Sequence, residues 1–328
     1  MIGLLIIDKP AGMTSHDVVA RVRKIIGERR VGHTGTLDPF ATGVLVVLVG
    51  RATRLAQFLS GAEKEYEAVI RFGYATDTGD VTGERIETEF HAKSQGPQSL
   101  RKEEIEAAMA SLTGEIEQLP PMYSAKKVAG RKLYEHARRG EQIERKPISV
   151  TIRKFELLHD GSDFVRLNED GTADVSARVV CSAGTYVRTL AEDLGKRLGA
   201  GAHLAELRRT RAGQFSIEDA ITLEELADQK ASGPLNRALI SPNEALSHLP
   251  QMELDEAQAR RTMHGIDLPL NSGRWGSFDH GSPIRMTCEG ELIAVGSYDR
   301  KRDLIHPQVV ISEVTKAGDY YNPDRSTA

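Results

Sequence analysis

The spacing of apolar residues near the N-terminus predicts two buried strands separated by an amphipathic helix. Residues 2–7 form an apolar run typical of a buried strand, and residues 44–49, all valine or leucine, predict a central strand. Between them, apolar residues at positions 18, 19, 22, 25 and 26 follow helical spacing. Ser15 is the expected N-cap of this helix, and Gly27 lies just past its end.

The middle of the chain continues this mixture of strands and helices. Alternating patterns predict strands at 66–72, 149–157 and 173–181, and helical spacing predicts helices at 103–112 and 185–198. Residues 119–146 interrupt the pattern with a Pro-, Gly- and Lys/Arg-rich segment that holds one short helical piece near 133–138. Because strands and helices do not alternate regularly, we predict an α+β fold on a mixed or antiparallel sheet.

The length of 328 residues indicates two domains, since a single core seldom exceeds about 250–300 residues. Beyond position 240 short apolar runs alternate with Gly, Pro and Asp, which predicts a small β-rich domain. We place the first domain at 1–232 and the second at 233–314. The polar tail at 315–328 is expected to be disordered.

Charge is distributed unevenly along the chain. The net charge is −4, yet residues 122–154 carry ten Lys or Arg against three Glu, a local balance of +7. Tyr123 and Tyr134 lie among these cations, and further basic clusters occur at 29–30 and 208–211. Cations interspersed with aromatics suit phosphates and bases, so we expect RNA or DNA as the partner.

The cysteines and the N-terminus indicate a cytoplasmic protein. Cys181 and Cys288 are far apart in sequence and form no metal-ligand pattern, so we expect ordinary buried thiols in a reducing compartment. The apolar run at 2–7 is too short for a signal peptide or a membrane span. We therefore predict neither a metal site nor a membrane partner.

The loop at 32–43 concentrates the candidate chemistry. It holds Asp38 as its only acid, together with His33 and three glycines. Asp38 before Pro39 predicts an N-cap and the first position of a helix, whose dipole would favour the ionised carboxylate. From spacing alone, a structural cap is a commoner role for such an aspartate than catalysis.

Six short motifs, one of them in this loop, follow one another in a fixed order over about two-thirds of the chain. The sequence resembles the TruB-type tRNA pseudouridine-55 synthases in these segments: Asp8–Ser15, Gly32–Pro39, Lys64–Ala68, Pro120–Lys127, Gly184–Ala191 and Leu207–Thr210. The clearest local departure is Phe40, where the family has leucine, and this apolar exchange leaves the resemblance intact.

The resemblance implies a pseudouridine synthase catalytic domain followed by a PUA-like RNA-binding domain. Family members break the N1–C1′ bond of a uridine in the T-loop of tRNA and rejoin the ribose through C5, without cofactor or metal. Asp38 is then the catalytic residue, either attacking the sugar or withdrawing a proton from it. Both routes remain open.

The resemblance also assigns roles around the flipped nucleotide, which must leave the RNA stack to be reached. Tyr66 stacks on the base and its hydroxyl is a candidate for handling the C5 proton, while Tyr186 and Leu207 line the base site. Arg188 pairs with the catalytic carboxylate, keeping it ionised and oriented. His33 contacts the RNA and supports flipping.

The remaining predicted contacts are to the T stem-loop of tRNA. The segment 119–146 corresponds to an insertion that clamps the tRNA arm, and the enzyme is expected to act as a monomer. The predicted RNA contacts are Lys126, Lys127, Arg131, Lys132, Arg208 and Arg209.

Two other functions fit parts of the sequence. A noncatalytic tRNA-binding or tRNA-folding protein could hold a flipped base without chemistry, although a carboxylate in the pocket would weaken RNA binding. A small-molecule enzyme could use the glycine-rich turns for phosphate, but neither a GxxxxGK[ST] nor a GxGxxG pattern is present.

Overall fold

A computed structural model describes residues 1–86, 100–158, 164–235, 238–270 and 278–312, except positions 125, 129, 138 and 142. The tail predicted to be disordered, at 315–328, lies outside the described residues.

The strands are, in chain order, β1 (Gly3–Lys9), β2 (Val31–Thr34), β3 (Thr42–Val49), β4 (Lys64–Phe72), β5 (Ala75–Thr76), β6 (Arg85–Ile86), β7 (Gly114–Gln118), β8 (Lys127–Val128), β9 (Arg131–Lys132), β10 (Ile148–Leu157), β11 (Arg166–Leu167), β12 (Ala173–Cys181), β13 (Ala202–Ala212), β14 (Phe215–Ser216), β15 (Gln251–Glu253), β16 (Leu268–Pro269), β17 (Pro283–Cys288), β18 (Glu291–Asp299) and β19 (Leu304–Val310). The helices are α1 (Ser15–Ile26), α2 (Ala56–Leu59), α3 (Lys102–Ala110), α4 (Leu133–Ala137), α5 (Val187–Arg197), α6 (Leu223–Ser232), α7 (Pro242–Ala245) and α8 (Glu256–Met263), with 3₁₀ turns at Gly50–Leu55 and Ile217–Asp219.

One large sheet forms the centre of the molecule. Among the described residues it has ten strands, with the main order β1-β3-β13-β4-β12-β10-β7 and with β2, β14 and β11 paired at its sides. Neighbouring strands are antiparallel except β13 and β3, which run parallel. The prediction of a mixed sheet in an α+β fold is confirmed.

The parallel pair depends on a glycine in the loop that the sequence singled out. Gly43 pairs with Arg209 across β3 and β13 and has φ of +98°. A Cβ at this position would lie 2.2 Å from the Arg209 carbonyl oxygen, far inside contact distance. Glycine therefore allows β13 to approach β3 and brings the loop before β3 next to the end of β13.

A second sheet follows in the C-terminal part, as the β-rich pattern predicts. Its order is β15-β17-β18-β19-β16, with β15 and β17 parallel and the other pairs antiparallel. The first sheet also receives residues that lie beyond 232, because Ile240 bridges to Leu4 in β1. The domain boundary at 232/233 stays a prediction.

Two local predictions about helix starts are wrong. Helix α1 is capped by Thr14 rather than Ser15, because Thr14 and Asp17 form the reciprocal capping box. Asp38 caps no helix, since the residues between it and β3 are irregular. The helix dipole consequently contributes nothing to the ionisation of Asp38, and its stabilisation has to come from other groups.

Candidate active site

A pocket of about 270 Å³ opens where the 35–38 loop, β4, β13 and the start of α5 converge. Its lining includes Asp38, Tyr66, Tyr186, Arg188 and Leu207, which come from four separate parts of the sequence. The sheet order explains the convergence, since β13 lies between β3 and β4 and carries Leu207 past both. With Lys126 and Arg209, which also line it, the pocket brings together seven of the predicted site residues, whose roles remain predictions.

Asp38 and Arg188 form a bidentate ion pair in this pocket. Arg188 Nε lies 2.9 Å from Asp38 Oδ2, and Arg188 Nη2 donates to Asp38 Oδ1 at 3.2 Å. The Arg188 side chain is 5% exposed and that of Asp38 is 35% exposed. The guanidinium therefore fixes the carboxylate from the protein side and leaves it open toward the pocket.

Arg188 is itself held by groups from two other segments. Its Nη1 donates to the Thr78 carbonyl at 2.8 Å and lies 3.7 Å from the buried Asp80 carboxylate. Its Nη2 also donates to the Tyr123 carbonyl at 2.7 Å. The orientation of the guanidinium thus depends on the loop after β5 and on the basic segment 119–146.

Two opposing effects act on the pKa of Asp38. Burial raises the pKa above its ordinary value, and the Arg188 charge and hydrogen bond oppose this, while the nearby Asp80 charge adds to the increase. The net direction is upward, so the carboxylate takes up a proton at a higher pH than an exposed aspartate does. Loss of Arg188 would remove the main opposing effect.

The end of β1 and the start of α1 brace the loop that carries Asp38. Ser15 Oγ accepts a hydrogen bond from Leu37 N at 2.9 Å and donates to Leu37 O at 3.1 Å. Lys9 is fully buried, and its ammonium donates to three carbonyls, including Pro39 O at 3.2 Å. Burial lowers the pKa of Lys9 to about 8, with the nearby Asp38 charge opposing this.

Tyr66 lies on β4 with its ring 8% exposed and Arg209 beside its hydroxyl. Burial raises the pKa of this phenol, and the Arg209 charge opposes the increase. Arg209 is 1% exposed and donates to the Val44 carbonyl at 2.7 Å and the Gly35 carbonyl at 3.1 Å. Arg209 is nonetheless part of the pocket lining, and its predicted contact with RNA stays a prediction.

A buried amide positions the start of α5. Gln118 is fully buried, and its side chain accepts from Tyr186 N at 3.0 Å and donates to Tyr186 O at 3.3 Å. This reciprocal pair fixes the backbone immediately before Arg188. Helix α5 begins at Val187, two residues later than predicted, so Arg188 stays in its first turn.

His33 does not belong to the pocket lining. It lies on β2 opposite Val47, with its ring edge-on to His16 at 5.3 Å. Burial lowers the pKa of His33 to about 4, so the ring is neutral near pH 7. Its predicted contact with RNA stays a prediction, and any such contact would use a neutral imidazole.

The predicted RNA-contacting cations occupy different environments. Lys126 is half-buried in the pocket wall, and Arg131 is exposed. The backbone of Lys127 and Lys132 pairs in the two-stranded ribbon of β8 and β9. Arg208 is 39% exposed and forms a bidentate ion pair with Asp8, at 2.7 and 3.1 Å.

Three residues of the site were not singled out by sequence reasoning: Lys9, Asp80 and Gln118. Lys9 and Asp80 lie in segments rich in Gly, Pro and Thr, where polar residues are usually ascribed to turns. Gln118 ends a strand and carries no sequence signal at all. Their importance follows only from the partners that the fold brings to them.

Two negative findings apply to the described part of the chain. No group of three or more His, Cys, Asp or Glu is arranged there to hold a metal ion. No described helix is both long and apolar enough to cross a membrane. Cys181 and Cys288 are both buried thiols, as predicted.

Family models match most of the chain in two adjoining parts. Residues 23–187 match the model of the TruB family pseudouridylate synthase N-terminal domain. Residues 188–247 match the model of the tRNA pseudouridylate synthase B C-terminal domain. The boundary between the two falls between Val187 and Arg188, inside the site described above.

Named relatives are similar over most of their length. The tRNA pseudouridine synthase B of Bacillus thuringiensis (strain Al Hakam) is 47% identical over 268 residues, which cover 82% of this chain and 84% of the relative. The protein of the same name from Geobacillus thermodenitrificans is 47% identical over 270 residues, covering 82% and 86%.

Solved structures show the same fold. An H/ACA RNP bound to a substrate RNA containing 2′-deoxyuridine matches with a TM-score of 0.69 at 26% identity, over 98% of this chain and 87% of that one. A Cbf5-Nop10-Gar1 complex matches with a TM-score of 0.67 at 30% identity, over 90% and 78%. With the site geometry and the matched family models, these similarities lead to one conclusion: the chain belongs to the TruB family of pseudouridylate synthases.

Proposed function

We propose that this enzyme converts uridine 55 in the T-loop of tRNA to pseudouridine. The observation that carries the proposal is the bidentate Asp38–Arg188 pair, which opens into a pocket that Tyr66 also lines. Relatives that share 47% identity over 82% of the chain are named tRNA pseudouridine synthase B. The reaction is an isomerisation, in which the N1–C1′ bond breaks and a C5–C1′ bond forms.

The partly exposed carboxylate of Asp38 acts at the ribose of a nucleotide that has been flipped into the pocket. It either attacks C1′ as a nucleophile or withdraws a proton from the sugar, and both roles require the ionised form. Arg188 maintains that form against the effect of burial. The same guanidinium fixes the direction of the carboxylate through its two contacts.

Tyr66 and Leu207 hold the uracil during the rearrangement. Both line the pocket, and their nearly complete burial makes them firm surfaces for a base. After rejoining, C5 carries both its original hydrogen and the new bond to C1′, so one proton has to leave. The Tyr66 phenolate is a candidate for receiving it and becoming the neutral phenol, and the Arg209 guanidinium beside it would stabilise the phenolate before the transfer.

The basic segment 119–146 and the C-terminal sheet bind the rest of the tRNA arm, the latter as a PUA-like domain. Four of the residues proposed to contact RNA lie in or next to β8 and β9: Lys126, Lys127, Arg131 and Lys132. We propose further that the enzyme works in the cytoplasm as a monomer and uses no cofactor.

Tritium release tests this function. A tRNA transcript labelled with tritium at C5 of its uridines is incubated with the enzyme, and label appearing in water is measured. We expect release equal to one uridine per tRNA, and no release from a transcript that carries cytidine at position 55. Release that persists in the cytidine transcript would place the target elsewhere in the tRNA.

A noncatalytic tRNA-binding or tRNA-folding role is the alternative. It predicts tight binding of the transcript without any tritium in water. The Asp38 carboxylate argues against this role, because an anion in the pocket repels RNA phosphates and would give a purely binding protein no advantage.

A further inference from the structure

The basic segment contributes a wall to the catalytic pocket. Ser124 and Lys126 both line the pocket, together with Tyr66 and Leu207 from the central sheet. The position of this wall is tied to the catalytic pair, because Tyr123 O accepts a hydrogen bond from Arg188 Nη2, the atom that also contacts Asp38. The basic segment therefore extends into the catalytic pocket.

Lys126 is a cation in this part of the pocket lining, and it has no carboxylate partner among the described residues. Its side chain is half-buried, and it forms no ion pair with any residue in the described part of the chain. The carboxylates of Asp38 and Asp80 are both engaged by Arg188. A half-buried lysine that has no carboxylate partner among the described residues is suited to bind an anion of the substrate.

Ser124 adds a second group without a partner. Its side chain is 5% exposed, and its hydroxyl has no hydrogen-bond partner of good geometry, although the Tyr186 phenol lies next to it. Buried hydroxyls normally have partners, so this one requires an explanation. The oxygen is covered by protein, and a rotation about χ1 is needed to turn it toward the pocket.

We propose that Ser124 and Lys126 form a subsite for a phosphate next to the flipped uridine. A nucleotide that leaves the stack carries its two flanking phosphates to the mouth of the pocket. An ammonium provides the opposite charge, and a hydroxyl donates to a phosphate oxygen, whereas the neutral uracil offers no anion for Lys126. This inference rests on the proposed function, since it takes a flipped nucleotide as the ligand.

The test neutralises one phosphate at a time. Stem-loop RNAs of the T arm carry a methylphosphonate either 5′ or 3′ of the target uridine, and single-turnover rates at saturating RNA are compared with those of the unmodified stem-loop. For the wild-type enzyme we expect one of the two substitutions to slow the reaction about tenfold, the usual effect of removing a charge-assisted hydrogen bond. For Lys126→Met the same substitution should cause no further decrease in rate.

Arg131→Ala is the matched control, because Arg131 belongs to the same basic segment but is exposed and does not line the pocket. This variant should keep the full sensitivity to the methylphosphonate. If Lys126→Met stays as sensitive as the wild type to both methylphosphonates, the phosphate subsite is overturned.

Ser124→Ala separates binding from folding. Because the hydroxyl makes no hydrogen bond of good geometry with the described residues, its removal should change the melting temperature little while slowing the single-turnover rate. Thr262→Val is the control, since the Thr262 hydroxyl is also buried without a partner but lies in α8, away from the pocket. Its rate should stay at the wild-type value, and an unchanged rate in Ser124→Ala would remove Ser124 from the subsite.

The affinities of the same RNAs, measured by fluorescence anisotropy, test the phosphate subsite even if the enzyme shows no turnover. If the wild-type enzyme releases no tritium, the proposed function fails. The subsite fails separately if a neutral phosphate weakens binding equally in the wild type and Lys126→Met.

Discussion

The floor of the pocket, which includes Asp38, Arg188 and Arg209, and the basic segment at 119–146 differ in how their side chains are held. In the floor, each functional side chain is held by a residue far away in the sequence: Arg188 contacts Asp38 across 150 positions, and Arg209 contacts Gly35 across 174. In the basic segment, Arg131 is exposed and Lys126 lacks an ion-pair partner among the described residues. The positions of the side chains are thus fixed in the floor, whereas the cations of the basic segment remain available to bind RNA.

This difference separates two tasks. Catalysis needs reacting groups held to within fractions of an ångström, which requires contacts from several directions. Affinity for an RNA arm is the sum of many phosphate contacts that are individually replaceable. Single substitutions should therefore be severe in the floor and mild in the segment, except at Lys126, which belongs to both.

Asp38→Asn should have the largest effect. The amide keeps the shape but provides neither a nucleophile nor a base, so we expect kcat to fall by about 10³-fold or more. The affinity for tRNA should remain close to that of the wild type, since the charge removed is not one that binds phosphate. Tritium release measures kcat, and filter binding measures the affinity for tRNA. Turnover near the wild-type value would contradict the catalytic role of Asp38.

Tyr66→Phe tests whether the hydroxyl or only the ring is needed. If the Tyr66 oxygen, as the phenolate, receives the C5 proton, kcat should fall by about 10²-fold while RNA binding is retained. Tyr66→Ala should impair both, because it also removes the stacking surface. Equal rates in the phenylalanine variant and the wild type would leave the ring as the only contribution.

Arg188→Lys should have a smaller effect at neutral pH and a distinct one in acid. Lysine keeps a charge but cannot reproduce the fork to Asp38 or the bonds to Thr78 and Tyr123, so we expect kcat to fall by about tenfold to 100-fold. Lysine also counteracts the effect of burial less than arginine does, so the pKa of Asp38 should rise further.

The pH profile checks the sign of that prediction. Activity requires the carboxylate, so it declines as the pH falls through the pKa of Asp38. In Arg188→Lys this decline should begin at a higher pH than in the wild type. An acidic limb at the same pH in both proteins would mean that Asp38 is not the group that titrates.

Replacing Lys127, Arg131 and Lys132 together by Ala should have the mildest effect on chemistry. Affinity for tRNA should weaken, and the slope of log K against log salt should fall by about 0.7–0.9 for each phosphate that is no longer neutralised by a side chain. The single-turnover rate at saturating tRNA should change little, because Lys126 is retained. An unchanged salt slope would show that these cations form only a solvated face, and would move the RNA surface toward Arg208 and the C-terminal sheet.

Much of the fold follows from the sequence, because its strands and helices have strong periodic patterns. The central run at 44–49 lies within β3, and the alternation at 66–72 lies within β4. The short helical piece in the basic segment is confirmed as α4. The motifs that carry the family resemblance also supply most of the residues that line one pocket, including Asp38, Tyr66 and Arg188.

Neighbours in a strand show where local patterns stop being informative. Arg208 and Arg209 are adjacent cations in one basic cluster, yet one is partly exposed and the other is 1% exposed, because successive side chains of β13 point to opposite faces. Composition alone treats them alike. Only the pairing of β13 with β3 and β4 decides which face is inside.

Periodic patterns thus predicted β1, β3, β4, β10 and β12, and the motifs pointed to the family and to Asp38, whose role stays a prediction; β13, which brings Leu207 and Arg209 to the site, was not predicted. Only the tertiary structure decided what surrounds that carboxylate: Arg188 instead of a helix terminus, Lys9 and Ser15 beneath its loop, and Gln118 behind the start of α5. The physical reason is that these partners are chosen by long-range strand pairing and by buried polar groups that must find hydrogen bonds. Neither requirement leaves a periodic trace in the sequence.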